Sequence, residues 1–324
     1  MKTSVQVETR PPAAAPAGGV TTLNITVLSG GPSDEREVSL ASGQAVSEAL
    51  RARGHRVTQH DIGPDDLSAL DIPADLVFIA LHGTFGEDGA IQRILEERGI
   101  VFCGSGSTAS ALAMNKVATK LRLLEHDLPT PTFDVATPAR IHQVVSRWRT
   151  PAVVKPVSSG SSVDTHIVRH AGGLRQAVEQ VVGKHGEALI EEFVEGPELT
   201  VGVLGSTALP VCQIRTKREF YDYQAKYIDD DTEYLFDIDL PARLLENVQA
   251  LSLDAANALG CRDLARVDWM VDQVTHQPTI LEINTIPGFT NHSLVPKAAA
   301  RIGLSFDDLC QQIVDLTLRR ASSG

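Results

Sequence analysis

Apolar and polar positions alternate with the period of a strand in Arg266-Val267-Asp268-Trp269 and again in Glu282-Ile283-Asn284-Thr285. Period two sends successive side chains to opposite faces. Arg266 and Asp268 therefore share one side, as do Glu282 and Asn284, while Val267, Trp269, Leu281 and Ile283 turn toward a core. The polar stretch 272–278 joins the two as neighbouring strands. Earlier in the chain, an apolar strand over 23–28 runs into Ser29-Gly30-Gly31-Pro32. A helix follows from about residue 34, where Val38, Ala41, Ala45, Val46, Ala49 and Leu50 recur at helical spacing until Gly54. A second strand, 76–81, runs through His82-Gly83-Thr84-Phe85-Gly86-Glu87-Asp88-Gly89 into another helix. This alternation predicts a parallel α/β sheet whose ligands sit beyond the carboxyl ends of its strands.

Met114, Val117, Leu121 and Leu124 mark a helix entering a second region, and Pro129-Thr130-Pro131 breaks the chain after it. Strands are expected at 152–155, 166–169, 188–193 and 200–204, with a helix near 174–184. A third region from about 210 contains a polar loop over 220–234, a helix over 244–259, the opening strand pair and a terminal helix over 306–320. The division expected is a disordered tail over 1–21, an N-terminal α/β domain over 22–112, a central domain over 113–209 and a C-terminal domain over 210–324.

With 324 residues, 43% hydrophobic and 22% charged, the chain can bury substantial cores. A net charge of −12 argues against nucleic acid or an anionic membrane as partner. No run approaches the ~18 apolar residues of a membrane span. Cys103, Cys212, Cys261 and Cys310 lie far apart without a C-x-x-C pair, which suits free thiols in a reducing cytoplasm.

If the polar faces of the strand pair coincide, two carboxylates, an amide oxygen and a guanidinium share one surface. That is a hard-oxygen site for Mg²⁺ beside a cation, suited to clamping the phosphates of ATP. The same letters also suit the solvated side of an antiparallel sheet. Lys155 closes a strand before Pro156-Val157-Ser158-Ser159-Gly160-Ser161-Ser162-Val163, where backbone N–H groups and hydroxyls can wrap phosphate oxygens. A plain surface turn reads the same way, and Lys116 by itself reads as an ordinary solvated lysine. Glu191, Phe193, Val194 and Glu198 suit an adenosine edge, and equally an acidic strand end before Gly196-Pro197. The run Gly104-Ser105-Gly106 fits a loose dinucleotide fingerprint but lacks the acidic residue it requires, and reads as a turn passing close to something.

Several motifs in order closely resemble the D-alanine-D-alanine ligase family. They are residues 29–39, Leu81-His82-Gly83 with Gly86-Glu87-Asp88-Gly89, residues 155–163, Phe220-Tyr221-Asp222-Tyr223-Gln224-Ala225-Lys226-Tyr227, and residues 282–288 with His292-Ser293-Leu294-Val295-Pro296. The resemblance runs from about 23 to 318. It implies an ATP-grasp enzyme of three α/β domains, with ATP between the central and C-terminal ones, acting in peptidoglycan precursor synthesis. It further implies that Lys116, Lys155, Ser162 and Lys226 contact ATP phosphates, and that Glu191, Phe193, Val194 and Glu198 hold the adenosine. Asp268, Glu282 and Asn284 would bind two Mg²⁺, with Glu282 bridging and Mn²⁺ able to substitute. Glu35 and His82 would receive the first D-alanine, and Ser293 and Leu294 the carboxylate of the second. Arg266 and the Gly288 N–H would stabilise the oxyanion. Ser161 and Tyr227, linked to Glu35, would hold the loop over 220–234 closed, and Tyr227 favours D-alanine over D-lactate. A cytoplasmic homodimer is what the resemblance implies for assembly.

Asp164 departs from the family's usual glycine, and a carboxylate there is expected to add negative charge beside the phosphates. Asn115 stands for a frequent aspartate, and Gln224 for a glutamate. The alternatives are a ligase using D-lactate or D-serine as second substrate, a nucleotide-binding regulator without turnover, and a phosphotransferase that does not ligate.

Overall fold

The computed structural model describes residues 21–160, 163–216, 232–290 and 292–323. Among these, the strands fall into three sheets. The first is parallel, in the order β2-β1-β3, with β1 at Asn24–Ser29, β2 at Arg56–Asp61 and β3 at Leu76–Ile79. The central strand β1 buries Ile25 and Val27 against α1, Arg36–Ala52, and Leu28 against Ile91 and Leu95 on its other face. Polar Arg56–Asp61 gives no strand signal by alternation, and it pairs here as an edge strand. Helix α2, Ala90–Glu97, follows the loop after β3, so both Gly-rich loops leave the same end of the sheet.

Helices α3, Ser107–Met114, and α4, Lys116–Glu125, lead to the second sheet. Its antiparallel order is β4-β7-β5-β6, with β4 at Phe133–Ala136, β5 at Ala152–Lys155, β6 at His166–Val168 and β7 at Ala188–Glu192. Helices α5, Ile141–Val145, and α6, Ala171–His185, cover one face of it.

The third sheet runs β11-β10-β8-β12-β13, with β9 off β8. Its members are β8, Glu198–Leu204; β9, Thr207–Ala208; β10, Cys212–Arg215; β11, Glu233–Leu235; β12, Leu264–Val271; and β13, Pro278–Asn284. Strand β8 lies on the N-terminal side of the expected boundary at 210, yet it sits between β10 and β12. The change from one sheet to the other falls between β7 and β8. Helix α7, Ala242–Leu259, packs behind this sheet, and Trp269, fully buried, donates to Ser252 Oγ of that helix at 3.0 Å. Helix α8, Leu294–Ala300, and helix α9, Phe306–Ser322, return the chain to the first sheet. Leu309, Ile313 and Val314 of α9 join a single apolar cluster with Ile25, Val27 and Leu50.

Helix α4 inverts the expected pattern. It buries Lys116, Thr119, Lys120 and Leu123, whereas Leu121 and Leu124 are each 52% exposed. Its inner face carries buried charge beside Leu123, which alone of its leucines is buried in an apolar core. Among the described residues all four cysteines are free, and no helix is long and apolar enough to cross a membrane.

Candidate active site

Strands β12 and β13 pair with Arg266 opposite Asn284 and Asp268 opposite Glu282, so the four polar side chains share one face. The guanidinium of Arg266 donates to both oxygens of Asp268, from Nε at 2.8 Å and from Nη2 at 2.7 Å. Thr200 on β8 adds a third donor to Asp268 at 2.6 Å. The forked pair is buried, which fixes the guanidinium plane on the sheet. After Asp268 the register shifts, and Trp269 faces Ile280. This bulge leaves Leu281 as the extra residue. Ile280 takes the core position expected of Leu281, and Leu281 instead turns into a cavity beside Met270.

Two cavities meet on this face. One, about 430 Å³, lies between the second and third sheets and is lined by Lys155, Glu191, Phe193, Val194, Glu198 and Asp268 among others. The other, about 560 Å³, reaches the first sheet and is lined by Glu35, His82, Arg266, Asn284, Gly288, Ser293 and Leu294. Lys116, Ser159 and Glu282 line both. Every described candidate residue therefore lies on one wall or the other. Ser161, Ser162, Lys226 and Tyr227 lie outside the described residues.

Lys116 opens α4, whose N-cap is Asn115, its side chain accepting from the Ala118 N–H at 2.9 Å. An amide oxygen caps as well as a carboxylate, so the departure at Asn115 costs the helix nothing. The Lys116 ammonium donates to Ser159 O at 2.6 Å and lies 3.5 Å from Glu282 Oε2. Burial lowers the Lys116 pKa, with Glu282 opposing. Lys155 behaves oppositely. Burial works against its charge, but Glu191 and Glu282 outweigh it and raise the pKa. Glu191 is buried, pairing through Oε2 with Lys155 at 2.5 Å and through Oε1 with Lys120. Burial alone would raise the Glu191 carboxyl, but Lys155 and Lys120 together hold it below the usual range.

The segment after β7 presents Phe193 with the Arg169 guanidinium 5.1 Å from its ring centre. Gly196 has φ +153°, and a Cβ there would stand 2.0 Å from Val271 O, so only glycine lets this segment close against the end of β12. Gln273 and Val271 then donate to Glu195 O and Pro197 O.

In the second cavity, a Cβ on Gly83 or on Gly160 would stand 3.0 Å from Glu35 Oε2. The carboxylate is thus wedged between the loop after β3 and the loop after β5. His82 is buried, with Nε2 3.1 Å from Ser42 Oγ and Nδ1 3.1 Å from Ile286 O. Burial raises the pKa of its neighbour Glu87, against the pull of His82. The turn carrying Gly288 is held by Ile286 N–H to Asn284 Oδ1 at 2.8 Å and Phe289 N–H to Ser42 Oγ at 3.3 Å. Ser293 caps α8 in extended geometry, and its Oγ accepts from Thr290 N–H at 3.0 Å.

Asp164 does not line either cavity. It takes φ +53° and its carboxylate turns to Lys184 at 2.6 Å and His185 at 2.7 Å, at the end of α6. The expected charge beside the phosphates is thus directed away from the cavity and neutralised. The glycine-rich run at 104–106 also finds its neighbour. A Cβ on Gly106 would stand 2.7 Å from Glu96 Oε1 and 3.0 Å from Arg262 Nη2, so the turn lets an ion cluster approach, not a dinucleotide.

Among the described residues no three His, Cys, Asp or Glu side chains group to hold a metal. Asp268, Glu282 and Asn284 offer instead two carboxylates and an amide oxygen on one face. Carboxylate and amide oxygens each carry two acceptor positions, so Asp268 Oδ2 and Asn284 Oδ1 can serve a cation while keeping the donor each is given by Arg266 and Ile286. The set suits a hard divalent cation in both type and placement.

A parallel α/β unit followed by two antiparallel sheets, with lysines on one wall of the cleft and carboxylates on the other, defines an ATP-grasp enzyme. The family pattern described as "D-ala D-ala ligase C-terminus" matches residues 127–315, and that described as "D-ala D-ala ligase N-terminus" matches residues 55–105. The chain belongs to the D-alanine–D-alanine ligase family. It is 45% identical over 296 residues to the D-alanine–D-alanine ligase of Bordetella avium, covering 90% of this chain and 93% of that one. The Bacillus anthracis ligase complexed with ATP superposes with a TM-score of 0.79 at 32% identity, over 94% of this chain and all of that one. The VanG D-Ala:D-Ser ligase of Enterococcus faecalis superposes with a TM-score of 0.81 at 27% identity, over 92% of this chain and all of that one.

Proposed function

We propose that this protein joins two D-alanine molecules into D-alanyl-D-alanine with ATP, through D-alanyl phosphate, for peptidoglycan precursor synthesis in the cytoplasm. The observation that carries this reading is the junction of the two cavities at Lys116 and Glu282, with the Arg266–Asp268 fork beside it. A nucleotide on one side and an amino acid on the other would meet there.

In this reading Phe193 and Val194, with Glu191 and Glu198, face the adenosine of ATP. Lys116, Lys155 and Lys226 neutralise its phosphates, and Ser162 is proposed to hydrogen-bond to them. Asp268, Glu282 and Asn284 would hold two Mg²⁺, or Mn²⁺ in their place, which when bound supply charge neutralisation at the transferring phosphoryl group. Glu35 and His82 position the first D-alanine by its ammonium. Its carboxylate attacks the γ-phosphorus and ADP leaves. Ser293 and the Leu294 N–H take the carboxylate of the second D-alanine, at a helix start suited to an anion. Its amine then attacks the activated carbonyl carbon and phosphate leaves. Arg266 and the Gly288 N–H hydrogen-bond the carbonyl oxygen as it becomes negative, and one such donor is worth about 100- to 1000-fold in rate. Ser161 and Tyr227, which lie outside the described residues, are proposed to help exclude water from the acyl phosphate. The N-terminal domain supplies the first substrate's contacts, and the central and C-terminal domains grip ATP.

Incubation with ATP, Mg²⁺ and D-alanine, with phosphate release measured and the product identified by mass, tests the proposal. D-alanyl-D-alanine and one phosphate per dipeptide are expected, with less product when D-serine or D-lactate is added as second substrate. Phosphate release that is independent of D-alanine would defeat it. The chain is also proposed to form a homodimer, for which light scattering after size exclusion should give twice the 34.8 kDa chain mass.

A further inference from the structure

Lys120 is completely buried in α4 and lines neither cavity. A buried ammonium persists only where partners replace water. Here they are Glu191 Oε1, Thr130 Oγ1 at 2.7 Å and the face of Phe133, with its ring centre at 5.7 Å. Glu191 passes the constraint on, since its other oxygen holds the Lys155 ammonium on the cavity wall. Thr130 passes it the other way. Its hydroxyl donates to Ile280 O at 2.9 Å, while Ile280 N–H donates to Pro129 O at 2.8 Å. Ile280 sits at the β13 bulge that delivers Leu281 and Glu282 to the cavity. One ammonium therefore ties the second sheet, through Glu191 and Lys155, to the third, through Thr130 and Ile280.

We infer that Lys120 is a positioning residue for nucleotide binding, setting the spacing of Lys155 and Glu191 against Leu281 and Glu282 across the cleft. The inference rests on the reading that this cleft binds ATP. It does not touch substrate, so its effect must appear through Lys155 and Glu191.

Lys120→Met keeps an unbranched, flexible side chain up to the ε position and removes the ammonium. The KM for ATP should rise roughly tenfold, the loss of one charge-assisted hydrogen bond, with the KM for D-alanine within twofold of native. Equilibrium titration with ATP should show the same loss of affinity. A purely structural lysine would lower the melting temperature and the amount of active enzyme while leaving the KM for ATP unchanged, and that result overturns the inference. If Lys120→Met does not fold, Lys120→Gln, which is polar but neutral and one bond too short to bridge Glu191 and Thr130, should show the same selective rise in KM for ATP. A native KM for ATP in Lys120→Gln likewise overturns it. Failure of the native enzyme to bind ATP would instead refute the cleft's assignment.

Discussion

At Glu282 one carboxylate serves two cavities, 3.5 Å from the Lys116 ammonium and opposite Asp268 across the sheet. Its side chain is 33% exposed, so the fold does not depend on its charge as it would on a sealed ion pair. Glu282→Gln should therefore melt close to the native temperature and lose turnover by at least about 1000-fold, as expected when a metal ligand goes. A near-native rate of phosphate release would contradict the metal assignment. Gly196 shows the opposite kind of dependence. Its value is the absence of a side chain, because a Cβ would meet Val271 O at 2.0 Å in a backbone conformation that L-residues rarely adopt. Gly196→Ala must push the 195–198 segment off β12, with a cost of roughly 1–3 kcal/mol in stability. Calorimetry should record the lowered melting temperature, and the KM for ATP should rise with it, since Val194 and Glu198 flank the moved backbone.

Helices follow the sequence where burial is one-sided and depart from it where charge is buried. Helices α1, α6 and α9 lie close to where periodicity predicts them, because their apolar positions have a single core to face, and strands β5, β7 and β12 lie close to their expected spans although each also buries charge. Alternation also brings Arg266, Asp268, Glu282 and Asn284 to one face, but it carries no sign of the bulge, which moves Leu281 from the core to the cavity. Nor could it mark Lys120, since a lysine in an amphipathic helix reads as solvated, and only the position of Glu191 on another strand reveals the need for it. The bulge makes a prediction at this scale. Leu281→Ala should raise the KM for ATP about five- to tenfold through lost apolar contact and leave the KM for D-alanine alone, as read by steady-state kinetics with each substrate varied. The loop after β5 makes another. Hydrogen bonds from Lys184, then His185, hold the Asp164 carboxyl below the ordinary range. Its contribution to stability is thus present above the unfolded carboxylate value, near 4, and is lost as pH falls through the lower folded value. Asp164→Asn should flatten this part of the acid limb in melts taken across pH, with the KM for ATP unchanged because the side chain faces α6.

Across the whole molecule the first sheet is fastened to the third at the point where chemistry is proposed. Leu309, Ile313 and Val314 of α9 share a core with β1 and α1, Arg53 pairs with Asp308, and His55 meets Gln311 at 2.8 Å. These contacts bring α1 and the turn after β13 into register from behind. In front, a single hydroxyl completes the alignment. Ser42 Oγ lies 3.1 Å from His82 Nε2 and accepts the Phe289 N–H, next to Gly288, while His82 Nδ1 reaches Ile286 O. The proposed oxyanion donor on one domain is thus held by a serine and a histidine on another, and the carboxylate of Glu35 lies on the same side. Ser42→Ala leaves the buried Phe289 N–H without that acceptor, at a cost of roughly 1–3 kcal/mol. The cost falls on the turn that carries Gly288 and not on the ATP cavity. The kcat should drop several-fold to tenfold with the KM for ATP within twofold of native, because the interaction lost is one used as charge builds on the carbonyl oxygen. Steady-state kinetics with ATP and D-alanine varied separately distinguish this from a general loosening of the domains. A rise in both KM values with kcat preserved would show instead that Ser42 holds the cleft together and leaves the Gly288 turn unaffected.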